Sequence, residues 1–219
     1  MSSHTSCQNA PIRVSVAASE SLLQWLILPR LQALRKAAPS AVFVMHHEDN
    51  SAIAARVQEG IHDFGLVRRK VDRGEPGIVE LGNFQEVLIA PKALLPRADL
   101  SLPEALRSLP LAVPVGGALR TAVDAYAGKH APKSGAAIHP AVECTSYLHA
   151  SAALKSGACA AVLPGLALSE FQEDLYVRWS LAPLKLERHP VSLIWNQRNA
   201  AVRPVLAQLA QAIGRLLRF

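Results

Sequence analysis

Apolar residues alternate with polar ones at Ile12, Val14 and Val16, the period of a strand with one buried face. Beyond Ser19 the period lengthens. Leu22, Leu23, Leu26, Ile27, Leu31 and Leu34 recur at helical spacing, which predicts a helix over 21–38 that Pro39 stops. Pro29 inside it predicts a kink, because proline cannot donate to the preceding turn. Residues 42–45 then predict a second strand, 51–58 a second helix closed by Gly60, and 63–67 a third strand. Strands and helices alternating through such short links predict parallel strands with crossover helices.

The alternation breaks after the third strand. A turn at 73–77 leads into two strands, 78–81 and 86–90, with no helix between them. A second series follows: helix 103–108, strand 111–114, helix 118–129, strand 138–144, helix 147–156 and strand 160–163. Strands 176–181 and 191–195 come next, then a helix over 200–217 carrying Val202, Val205, Leu206, Leu209, Ile213 and Leu216 on one face. The predicted fold is α/β, with two Rossmann-like lobes joined by two crossover strands and a cleft between them. The expected boundaries are a tail at 1–11, a first lobe at 12–87 and 191–219, and a second at 88–190. Strands 86–90 and 191–195 are the expected crossovers, and the last helix is expected to pack on the first lobe. Ligands of such folds bind at strand carboxyl ends and helix N-termini.

Composition narrows the function classes. Of 219 residues, 50% are hydrophobic and 18% charged, which excludes a disordered chain. No apolar run is long enough for a membrane span, and the stretch from Leu22 to Leu28 is interrupted by Gln24. The polar start lacks a signal-peptide pattern, so a cytoplasmic protein is expected. The net charge is +6, yet the basic residues are spread along the chain, and the densest group is only Arg68, Arg69, Lys70 and Arg73. That is not a nucleic-acid stripe, and it mildly favours small anions.

Three cysteines, an odd number without metal-ligand spacing, suit a reducing compartment. Cys144 and Cys159 fall in apolar segments as expected buried thiols, and Cys7 lies in the tail. Alternation sends the rings of His46 and His47 to opposite faces, and no other histidine spacing suggests a metal. Phosphate-loop and nucleophile-elbow motifs are missing from the sequence. No catalytic residue, metal or cofactor is therefore expected.

Four phrases, in order, resemble the effector-binding domain of LysR-type transcriptional regulators, which has the type 2 periplasmic-binding-protein fold. The most specific runs from Val57 to Arg68, with Glu59-Gly60, Asp63, Gly65-Leu66 and Arg68 at the family's positions. Ile12-Arg13-Val14 before a helix carrying Leu28-Pro29 matches the first unit. Gly116-Gly117-Ala118-Leu119-Arg120 matches the opening of the second lobe's ligand face. Gly157 through Pro164 resembles a fourth family phrase, with Cys159 replacing its second glycine. The likeness covers residues from Ile12 to the C-terminus. It implies a sensor for a small, anionic metabolite and DNA contact only through a winged helix-turn-helix module. With about 11 residues before the first strand, that module is expected to be absent from this chain. An enzyme or a solute receptor on the same bilobed scaffold is the alternative, since such folds host unrelated functions.

The candidate effector contacts are Ser19, Ser21, Asn50, Arg68, Gly117 and Ser146. Each has a second reading. Ser19 and Ser21 could cap the first helix, and Asn50 could cap the next. Arg68 could grip a carboxylate with two parallel hydrogen bonds or belong to a solvated basic run. Gly116 and Gly117 let a ligand approach the backbone but are also ordinary loop residues. Thr145 and Ser146 could be caps, or hydroxyls from the second lobe. Finally, Trp25 and Leu28 are expected on an exposed stripe of the first helix, where the family pairs two domains into a homodimer.

Overall fold

The computed structural model describes residues 11–70, 77–131 and 138–219. Apart from Pro11, the expected tail lies outside the described residues, as does the expected turn except for Gly77. The chain forms two compact units. One runs up to Asn83 and resumes over Pro190–Phe219; the other is Phe84–His189.

In the first unit, β1 (Ile12–Ala18), β2 (Ala41–His47), β3 (Phe64–Val67), β4 (Ile78–Phe84) and β10 (His189–Trp195) form a sheet in the order β2-β1-β3-β10-β4. β1 pairs in parallel with both β2 and β3, so the carboxyl ends of all three share one sheet edge. β10 runs antiparallel to β3.

The helix expected over 21–38 is a succession of turns. α1 (Glu20–Leu22) passes into a π-helical stretch at Leu23–Ile27, a 3-10 turn at Leu28–Arg30 and α2 (Leu31–Ala37). The Leu28 N–H reaches back to the Leu23 carbonyl, one residue beyond an α-helical bond, directly before the donorless Pro29. This extra residue rotates the face that packs inward. Trp25 is buried beside Leu26 and Ile27, while Leu28 stays exposed. The expectation of an exposed Trp25 is thus corrected, because regular helical spacing cannot anticipate a π turn.

α3 (Asn50–Gln58) lies close against β3. A Cβ on Gly65 would come within 2.4 Å of Ile53 Cγ2, so this strand position must be the smallest residue for the helix to sit where it does. Beneath it Asp63, almost wholly buried, knots three segments together. Its Oδ2 accepts the Ser15 N–H at 2.9 Å, its own N–H donates to Ser15 Oγ at 2.8 Å, and its Oδ1 accepts from Arg203 at 2.6 Å.

Arg203 sits at a break. The helix expected over 200–217 is α7 (Gln197–Val202) and α8 (Pro204–Leu216), with Pro204 opening the second piece. α8 buries Leu206, Leu209, Ala210 and Ile213 on the first unit, and the Phe219 N–H closes onto the Leu81 carbonyl.

The second unit repeats the plan. β5 (Glu86–Pro91), β6 (Pro110–Pro114), β7 (His139–Cys144), β8 (Ala160–Pro164) and β9 (Tyr176–Ser180) form a sheet in the order β7-β6-β8-β5-β9. β6 is parallel to β7 and β8, whereas β5 is antiparallel to β8 and β9. α4 (Leu102–Ser108), α5 (Gly117–Lys129) and α6 (Tyr147–Lys155) complete it. Leu88, Leu106, Leu111, Val113 and Val162 centre its core. A reciprocal Ser101–Glu104 cap starts α4, and the serine's hydroxyl and N–H, with Arg97, hold the Glu104 carboxyl down at about 2.

Candidate functional site

Each unit gathers part of the candidate set at the carboxyl ends of its parallel strands. In the first, β1 register pairs Ala18 with His47 and Ala17 with Gly65, so Ser19, Asn50 and Arg68 all follow strands ending at the same edge. Asn50 was expected either to cap α3 or to face a ligand. Asp49 occupies the cap position instead, and Asn50 is the first helical residue. Its Oδ1 accepts the Arg68 N–H at 2.6 Å, tying the start of α3 to the end of β3. The side-chain nitrogen of Asn50 is then the group positioned to donate outward.

The bond to Asn50 fixes the Arg68 backbone and leaves its guanidinium exposed, with no ion pair to it among the described residues. Ser19 precedes α1 but makes no side-chain cap, and its Oγ lies 3.5 Å from Ser21 Oγ. The pure capping reading of these two serines is therefore unsupported. Glu48, which follows β2 on this edge, is held by Arg56 and lies 3.3 Å from His62 Nε2.

In the second unit, α5 and α6 begin where β6 and β7 end. Gly117 has φ +86°, the left-handed region that favours glycine, and a Cβ there would meet nothing. Conformation, not crowding, calls for glycine. Ser146 caps α6, its Oγ accepting the Leu148 N–H at 3.1 Å. A cavity of about 240 Å³ opens between these helix starts, lined in part by Gly116, Leu119, Cys144, Ser146 and Tyr147. Helix N-termini present unpaired N–H groups and positive dipole ends, which suit an anion. Arg120, inside the glycine-rich phrase, braces the site. It donates to the Pro114 carbonyl at 3.1 Å, to Asp124 at 2.8 Å and to Glu143 at 2.5 Å.

Three residues of this unit escaped the sequence reading. Glu86, buried at the start of β5, accepts at Oε1 from both Tyr147 Oη and His189 Nε2, each at 2.9 Å. Its Oε2 has no partner among the described residues. Burial alone would raise this carboxyl, but the hydrogen bond and charge of His189, with the Tyr147 hydrogen bond, hold it below the usual glutamate range. The cluster fixes the Tyr147 ring on the cavity wall. Its sequence signal was an acid opening an otherwise apolar strand.

A depressed carboxyl stabilises the fold above its unfolded value and loses that contribution as pH falls through its folded value. Lowering the pH from 7 towards 3 should therefore reduce the melting temperature of the native chain more than that of Glu86→Gln. Parallel melting curves would show that the pair contributes nothing.

Burial pushes both Cys144 and Cys159 thiols up, with the Cys144 charge a further cause at Cys159. Both stay protonated near neutrality, which argues against thiolate chemistry.

Among known families, the model described as the LysR substrate binding domain matches residues 11–214. Curated proteins give no match. Among solved structures, CrgA from Neisseria meningitidis, a LysR-type transcriptional regulator, is 17% identical with a TM-score of 0.67, covering 94% of this chain and 69% of that one. The CrgA regulatory domain is 18% identical with a TM-score of 0.64, covering 92% and 98% respectively. A mutant regulatory domain of OxyR2 from Vibrio vulnificus is 14% identical with a TM-score of 0.60, covering 95% and 98%.

Proposed function

Because this chain belongs to the LysR substrate-binding domain family, we propose that it senses a small anionic effector for a LysR-type transcriptional regulator. The observation that carries the anionic preference is the Asn50–Arg68 bond, which fixes the backbone of a residue with an exposed guanidinium at the strand-end edge that Ser19 also follows. Gly117 and Ser146 are the candidate contacts that the second unit offers by itself. The effector acts by differential affinity for two arrangements of the protein. The protein works in the cytoplasm, and it catalyses no reaction.

A thermal-shift screen against dicarboxylates, amino acids and aromatic acids tests the reading, since a native-state ligand raises apparent stability. At least one anion should raise the melting temperature in a saturable way. A screen in which only neutral or cationic compounds do so would overturn the anionic assignment.

The same reading includes a homodimer through the first helix. With Trp25 buried, the apolar surface available is Leu28 on the helix and Val42 on the edge strand β2, both exposed. Light scattering should give a dimer at tens of micromolar, and Leu28→Glu should give a folded monomer. A monomeric native chain would remove the dimer.

A further inference from the structure

The cavity of about 240 Å³ at the starts of α5 and α6 is built from two kinds of wall. Leu119 of α5, Cys144 at the end of β7, Ala150 of α6 and Val162 of β8 supply an apolar side. Cys144 is only 7% exposed, and its thiol makes no hydrogen bond among the described residues, so it meets a ligand as a small hydrophobe. The polar side is a helix start. α6 is closed by the Ser146 cap, but α5 has no side-chain cap, because its N-cap residue is Gly116. A Cβ built on Gly116 or Gly117 would meet nothing within 4 Å, so a ligand atom can reach the first N–H groups of α5.

No charged side chain lines this cavity among the described residues. Arg120, next to Leu119, is taken by Asp124 and Glu143. The stretch between Ala131 and Ile138 joins the other ends of α5 and β7, away from the helix starts. One carboxylate is therefore met by the N–H groups of α5. A second would be stripped of water against Leu119 and Val162 with nothing to replace it. An apolar cavity of about 150 Å³ already accepts a benzene ring, so this one has room for a ring and its carboxylate. Building on the reading of Gly117 and Ser146 as effector contacts, we propose that this cavity takes a monocarboxylate with one compact apolar body, a single ring or a branched chain, and discriminates against dicarboxylates. Leu119, Ala150 and Val162 are the residues that set this specificity.

Titrating benzoate and succinate separately into the full chain, followed at the methyl resonances of Ala150 and Val162, reads this cavity by itself. Benzoate should move both methyls along one saturation curve and bind about tenfold or more tighter than succinate. Ala150→Leu, which fills the apolar side, should weaken benzoate about tenfold or more, as followed at Val162. Leu119→Ser should narrow the lead of benzoate over succinate by about threefold or more. If Ala150→Leu does not fold, Leu119→Ser, a change at a partly buried residue in the first turn of α5, decides the matter. Succinate binding as tightly as benzoate, or a lead that Leu119→Ser leaves unchanged, overturns the inference while Gly117 and Ser146 remain anion contacts. If neither acid moves the two methyls, the inference and that reading fall together.

Discussion

Replacing Asp63 with alanine should destabilise the protein by about 2–4 kcal/mol, the scale of breaking a buried, hydrogen-bonded charge pair. The side chain is almost fully buried and serves three segments at once: Ser15 on β1, its own strand approach, and Arg203 between α7 and α8. Removing it leaves the Ser15 N–H without its acceptor and Arg203 without its counter-charge. Arg203 is partly exposed, so water recovers some of that loss and keeps the figure below the extreme for a sealed pair. Asp63→Asn keeps an oxygen acceptor while losing the charge, and should cost about half as much. Urea unfolding followed by circular dichroism measures both. A loss under about 1 kcal/mol for the alanine variant would show that Asp63 is not the knot of this unit.

Arg68→Ala should weaken the anionic effector by about 1.5–3 kcal/mol, the range for a hydrogen bond to a charged group. The Asn50 bond holds the Arg68 backbone, so the loop carrying the guanidinium has less to order on binding. Arg68→Lys should recover only part of the loss, since an ammonium cannot make the two parallel bonds of a guanidinium. Arg68 is exposed, so the melting temperature without ligand should hardly move. Calorimetry with the anion found by thermal shift reports the difference. Unchanged affinity in Arg68→Ala would remove this residue from the site.

The bilobed α/β class was legible because it rests on local signals: period two at Ile12, Val14 and Val16, helical spacing after them, and the break in alternation before β4. Misplaced features came from positions where proline or packing alters a regular period. At Pro29 the chain passes through π and 3-10 turns and buries Trp25. At Pro204 an unbroken apolar stripe conceals a helix break, although proline at a helix start is a normal signal. In the candidate site, Asn50 and Arg68 could each be singled out from its place after a strand. The bond joining them could not, since it depends on how closely α3 lies against Gly65. Glu86, Tyr147 and His189 were invisible as a group for the same reason: three remote positions meet only once the second sheet has formed.

Backbone amide chemical shifts tell which residues the ligand touches. On adding the anion that raises the melting temperature, the amides of Ser19, Ser21, Asn50 and Arg68 should move together along one saturation curve. Saturable binding that leaves these four amides unmoved would contradict an effector held at the Arg68 edge of the first unit.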